Sequence, residues 1–140
     1  MNAVDTNLWI YCHDTLDPNK QLVAQHLIAT VRPLALPWQV GCEFIAASRK
    51  LAPQGFDEIQ AWSALTRMQA MANVLLLPNP QLWPATQDLQ SKHGLSFWDG
   101  LLVAACIDGG VQVLFTEDMG APRVIESLSL VNPFVRGNTP

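Results

Sequence analysis

The sequence predicts a single α/β domain built on a short, mostly parallel sheet flanked by helices. Three observations carry that expectation. Short apolar runs alternate with longer segments of helical period along the chain. The 140 residues are 49% hydrophobic and 14% charged, enough apolar material for one folded core. Prolines and glycines gather where one run gives way to the next, and no repeat, low-complexity segment or internal linker interrupts the pattern.

The opening apolar stretch reads as a strand closing at Asp5, followed by a helix or turn across Asn7–Tyr11. Residues 18–32 read as a helix, with Pro18 in its first turn and a stripe of Leu22, Val23, Leu27, Ile28 and Val31. Leu34–Leu36, between Pro33 and Pro37, is a second strand. Helix 38–51 follows, with Val40, Phe44, Ala47 and Leu51 on one face. After Pro53 and Gly55, helix 56–73 carries Ile59, Trp62, Leu65, Met68 and Ala72 at helical spacing, and Val74–Leu77 is β-like. Asn79-Pro80 reads as the cap and first turn of a helix running to His93, which Gly94 ends. Ser96 caps a helix to about Asp108 that Gly109-Gly110 ends; Val111–Phe115 and Leu128–Val131 are strands. Residues 1–134 are expected to form the domain and 135–140 a frayed tail.

Composition narrows the function. No apolar run has the length of a membrane span, and the N-terminus lacks a basic segment and cleavage site, so the expectation is a cytoplasmic protein. Cys12, Cys42 and Cys106 are widely spaced, which argues against a disulfide framework. His13, His26 and His93 have no zinc-site spacing. A net charge of −4 argues against a stably bound nucleic acid but leaves room for a nuclease that grips briefly through a metal and a local patch. Five tryptophans are many for this length; core packing is the expected role of most, with an exposed subset left for a subunit interface or base stacking. No GxxxxGK[ST] or GxGxxG loop is present.

Four acids stand in largely apolar surroundings: Asp5, Glu43, Asp99 and Asp118. A carboxylate in such a setting is costly to bury unpaired. Each has an ordinary explanation. Asp5 suits a turn after a strand, and Glu43 a helix boundary near Arg49 and Lys50. Asp99 completes a Ser96-x-x-Asp99 capping arrangement, and Asp118 with Glu117 suits a polar turn. Together, with few basic residues nearby in sequence, they point to a shared hard cation, Mg²⁺ or Mn²⁺. In open parallel sheets, sites form beyond the carboxyl ends of strands, which suits Asp5 and Asp118; a first-turn Asp99 fits the same crevice.

These residues resemble the motifs of the PIN-domain ribonucleases, especially the VapC-type toxins of toxin–antitoxin pairs. Val4-Asp5-Thr6-Asn7 is similar to the family's first acidic motif, and Glu43 holds the place of the second. The run from Ser96 through Asp99 to Ala105 resembles the third, Thr116-Glu117-Asp118 the fourth, and Val131–Phe134 the closing strand. The resemblance implies Mg²⁺- or Mn²⁺-dependent RNA cleavage, a homodimer, and inhibition by a cognate antitoxin. It implies Asp5, Glu43, Asp99 and Asp118 as the catalytic, metal-holding acids, with Thr6, Asn7, Thr116 and Glu117 as auxiliaries. The doubled Glu117-Asp118 leaves two candidates for the fourth acid, of which Asp118 is preferred. Two other readings stand beside it: a PIN-like binding module whose acids are structural, and a haloacid-dehalogenase-type phosphatase, which needs an aspartate where this chain has Asn7.

Overall fold

The computed structural model describes residues 1–135; most of the expected tail, 136–140, lies outside them. The elements run β1 (Asn2–Val4), α1 (Thr6–Tyr11), α2 (Pro18–Thr30), β2 (Leu34–Pro37), α3 (Trp38–Ala47), a 3₁₀ segment (Ser48–Gln54), α4 (Glu58–Met71), β3 (Val74–Leu76), α5 (Leu82–His93), α6 (Phe97–Asp108), β4 (Val113–Phe115), β5 (Arg123–Ile125) and β6 (Leu128–Val131). The strand order is β3-β2-β1-β4-β6-β5. All neighbours pair parallel except β5 with β6. The expected α/β domain with a mostly parallel sheet is what forms.

β1 lies in the middle, with Ala3 opposite Ala35 on one side and Leu114 on the other. A strand covered on both faces needs no polar alternation. Ala3 and Val4, the whole of β2, and Leu114 are accordingly buried. They form one core with Leu8 and Trp9 of α1, Phe44 of α3, Val103 of α6 and Leu130 of β6.

Several expectations needed correction. Helix 38–51 stops at Ala47 and tightens into the 3₁₀ segment, in which Pro53 has no amide hydrogen to continue an α-helix. The fourth helix starts at Glu58, because Asp57 and Gln60 close a capping box. α5 starts at Leu82; Asn79 instead accepts a hydrogen bond from the Gln81 amide at 3.0 Å in the preceding turn. β5 was not anticipated. It pairs with β6 across a two-residue turn, with Glu126 at φ 54°.

The apolar stripes of two helices also differ. In α2 the buried residues are Ala24 and Ile28, with Leu22 and Val23 exposed; in α4 they are Ala61, Ala64 and Met68, with Ile59 and Trp62 exposed. Ile28 and Met68, both in the expected stripes, do face the core, but small alanines share the inner side with them while Leu22, Val23, Ile59 and Trp62 stay outside. The tryptophans follow suit: Trp9 is buried, while Trp38, Trp62, Trp83 and Trp98 are each at least half exposed, which overturns core packing as their main role.

Candidate active site

Asp5 occupies the junction of β1 and α1. The last pairing of β1 with β4 is carried by its own amide, which donates to the Phe115 carbonyl at 2.9 Å. Its extended backbone then caps α1, with one carboxylate oxygen accepting from the Thr6 amide at 2.7 Å. The other oxygen accepts from the Thr116 hydroxyl at 2.8 Å. The side chain is 7% exposed. Burial pushes its carboxyl up from 3.8 to about 6; the bonds from Thr116 and Thr6 oppose that rise, and the charges of Glu43 and Asp118 add to it. Those repulsions place Glu43 and Asp118 in the Asp5 neighbourhood.

Glu43 reaches this point from α3, which packs against α1. One of its oxygens accepts from the Thr6 hydroxyl at 3.1 Å. Asp118 comes from the turn after β4: Thr116 Oγ1 accepts from the Asp118 amide at 3.0 Å, and Asn7 Nδ2 donates to the Asp118 carboxylate at 2.5 Å. Thr6, Asn7 and Thr116 thus link three acids that lie far apart in sequence. Thr116 is fully buried and bonds two of them at once.

Glu117 has different company. Its two oxygens accept from Tyr11 Oη and, at 2.8 Å, from Lys20 Nζ. Of the two adjacent acids, Asp118 is the one tied to the Asp5 cluster.

Asp99 is in the first turn of α6, its amide bonded to Ser96 Oγ at 3.3 Å. Among the described residues no hydrogen bond joins its carboxylate to the other acids. Its helix is tied to theirs through Gln39, whose Nε2 donates to the Trp98 carbonyl at 3.0 Å. Gln39 and Glu43 are four apart on α3, so one face of that helix carries both. The structure therefore links Asp5 to Glu43 through Thr6 and to Asp118 through Thr116, and brings the start of α6 to the Glu43 face of α3.

Among the described residues, no three His, Cys, Asp or Glu side chains are gathered closely enough to hold a metal ion. The chemistry of the donor set nevertheless suits one. All four acids offer hard oxygen, and carboxylate repulsion on Asp5 is a cost that a divalent cation relieves. Gln39 Oε1, on the helix that carries Glu43, is buried with no hydrogen-bond donor among the described residues.

Gln39, Lys20 and Tyr11 were not anticipated. The Gln39–Glu43 spacing was a visible signal. So was Lys20, the sole lysine or arginine before Arg32.

No curated protein sequence matches the chain. Solved structures share its fold. VapC20 of Mycobacterium tuberculosis, a sarcin–ricin loop cleaving toxin, superposes with a TM-score of 0.69 at 20% identity, over 90% of this chain and 98% of that one. A toxin–antitoxin complex from Klebsiella pneumoniae gives 0.64 at 18% identity, over 96% and 98%. VapBC-1 from nontypeable Haemophilus influenzae gives 0.62 at 19% identity, over 94% and 97%. The sequence profile of the PIN domain matches residues 3–126, a span that holds all four acids and the threonines and asparagine that bind three of them. The chain therefore belongs to the PIN domain family.

Proposed function

We propose that this protein is a metal-dependent endoribonuclease, the toxin of a VapC-type toxin–antitoxin pair. The observation that carries this reading is the buried Asp5 carboxylate, held by Thr116 and repelled by Glu43 and Asp118, in a PIN domain. The likeness to toxin structures supports it.

In this reading Asp5, Glu43, Asp99 and Asp118 hold Mg²⁺ or Mn²⁺. When bound, such a cation lowers the pKa of a water and offsets charge on the phosphate. Thr6 and Thr116 aim the carboxylates, and Asn7 keeps the Asp118 side chain on the Asp5 side of its turn. Asp5 must lose its proton to serve as a ligand, and a bound cation would favour that loss against the burial that opposes it. Water attacks phosphorus in line, and the ribose 2′-hydroxyl takes no part. Among the described residues no hydrogen bond joins a histidine to these acids, which gives no support to ribonuclease A-type chemistry.

The test is cleavage of a labelled RNA by the full chain with Mn²⁺ or Mg²⁺, in EDTA, and in Asp5→Asn and Asp118→Asn variants. The expected products carry 5′-phosphate and 3′-hydroxyl ends, EDTA stops the reaction, and each variant loses at least ~100-fold in rate, as removing a charge-stabilising group does. Cyclic phosphate ends would overturn the mechanism. Undiminished cleavage in EDTA would overturn the metal. A folded wild-type chain that neither cleaves RNA nor responds to divalent ions would establish the binding-module alternative.

An apolar groove of about 460 Å³, lined by Leu36, Trp38, Ile45, Trp62, Leu65 and Leu75, supports the protein partners that the reading supplies, a second copy of the chain and a cognate antitoxin.

A further inference from the structure

Beside the acids, and outside the role just proposed for them, lies a second cluster. Lys20 from α2 donates to Glu117 Oε2 at 2.8 Å and to Tyr11 Oη at 3.2 Å. Tyr11 in turn donates to Glu117 Oε1. The Lys20 ammonium lies 4.8 Å from the Tyr11 ring centroid and 5.1 Å from that of Phe134, and the two rings meet edge to face at 5.4 Å. Four segments converge here: α1, α2, the turn after β4 and the stretch after β6. Both Glu117 oxygens are occupied, so the residue before Asp118 is fixed from one side. Thr116 is fixed from the other by its bonds to Asp5 and to the Val131 carbonyl.

We propose that Lys20, Tyr11 and Glu117 form a clamp that positions Asp118: it anchors Glu117 away from the acids and so holds the next carboxylate toward Asp5. The inference rests on the reading of Asp118 as one of the metal-holding acids. Lys20 and Tyr11 are positioning residues here and touch no reacting atom.

The clamp makes a prediction whose sign separates it from simple electrostatics. Lys20 is a cation near the acids, so its removal by charge alone would tighten binding of a divalent cation. A positioning role demands the reverse. Groups that orient a metal's ligands change affinity by ~10–100-fold when removed. The full chain would be prepared as wild type, Lys20→Met, Lys20→Arg and Glu117→Gln. Mn²⁺ affinity would be read by electron paramagnetic resonance, and amide exchange of Asp118 would be read in the metal-free protein.

Lys20→Met should weaken Mn²⁺ binding about 10-fold and speed exchange of the Asp118 amide, the one bonded to Thr116, while amides of β4 keep their protection. Lys20→Arg should restore most of both. Glu117→Gln should loosen the Asp118 amide and leave Mn²⁺ binding measurable. Unchanged or tighter Mn²⁺ binding together with an unchanged Asp118 amide in Lys20→Met would overturn the clamp. So would equal loosening of β4, which would make Lys20 a general support of the fold. Complete loss of Mn²⁺ binding in Glu117→Gln with an intact Asp118 amide would make Glu117 itself the ligand. If the wild-type chain binds no Mn²⁺, the metal reading falls, and exchange at Asp118 still decides the clamp.

Discussion

Asp5 bears a conflict that no other described acid shares to the same degree. Folding removes it from water and sets it among acids, and the bonds from Thr6 and Thr116 only partly compensate. Its carboxyl is pushed up from 3.8 to about 6, so the folded chain keeps a proton that the unfolded chain releases. The resulting stability is full below the unfolded value and is lost as pH rises through about 6. The loss is about 3 kcal/mol. Urea unfolding in EDTA should show wild-type stability falling between pH 4 and 7, with Asp5→Asn flattening that fall and exceeding wild type at pH 7.5 by ~1–3 kcal/mol. A variant with the wild-type slope would show that the strain lies elsewhere. The acids themselves were legible because a carboxylate in an apolar run needs a reason to be there. Their partners were harder to see. Lys20 and Glu117 are 97 residues apart, and only the folded sheet makes them neighbours.

At the scale of elements, the joint between α5 and α6 places Asp99. α5 ends at Gly94 in a left-handed conformation with φ 68°, and Ser96 caps the next helix. A Cβ at Gly94 would meet no neighbour, so its cost is conformational alone. Gly94→Ala should lower stability by about 1 kcal/mol, seen as a reduced urea midpoint with an unchanged slope. Both ends of this joint were readable, since a glycine after a helical run and a serine three before an acid are local signals. β5 was not: its pairing with β6 is the only thing that makes three residues after a proline a strand. The stripes of α2 and α4 misled for a related reason. Helical period reports where apolar residues lie, but which side faces the core is decided by how closely neighbours approach. There alanines share the inner side with Ile28 and Met68.

For the whole molecule, the four exposed tryptophans are part of a surplus of apolar surface. Trp38 and Trp62 line the same groove. If a second copy covers it, sedimentation should show a dimer that dissociates on dilution. Trp38→Ser with Trp62→Ser should then raise the dissociation constant at least ~10-fold, as loss of buried aromatic anchors does. A monomer at all concentrations would leave the groove to another partner. The fold class was legible as a whole because strand and helix periods alternate without a break. The order of strands was not, since it depends on pairings across the whole length of the chain.

That strand order also has a consequence in time. β1 is made before the other strands of this sheet, yet it is flanked by β2 on one side and by the much later β4 on the other. Asp5 waits 111 residues for the hydroxyl of Thr116. A nascent chain halted before β4 contains Asp5, Glu43 and Asp99 but lacks the turn that supplies Thr116 and Asp118, and one edge of its central strand is bare. Partial translation products therefore have no assembled site. If the chain is the toxin proposed, a cell synthesising it meets the completed cluster only after the turn that follows β4 has been made.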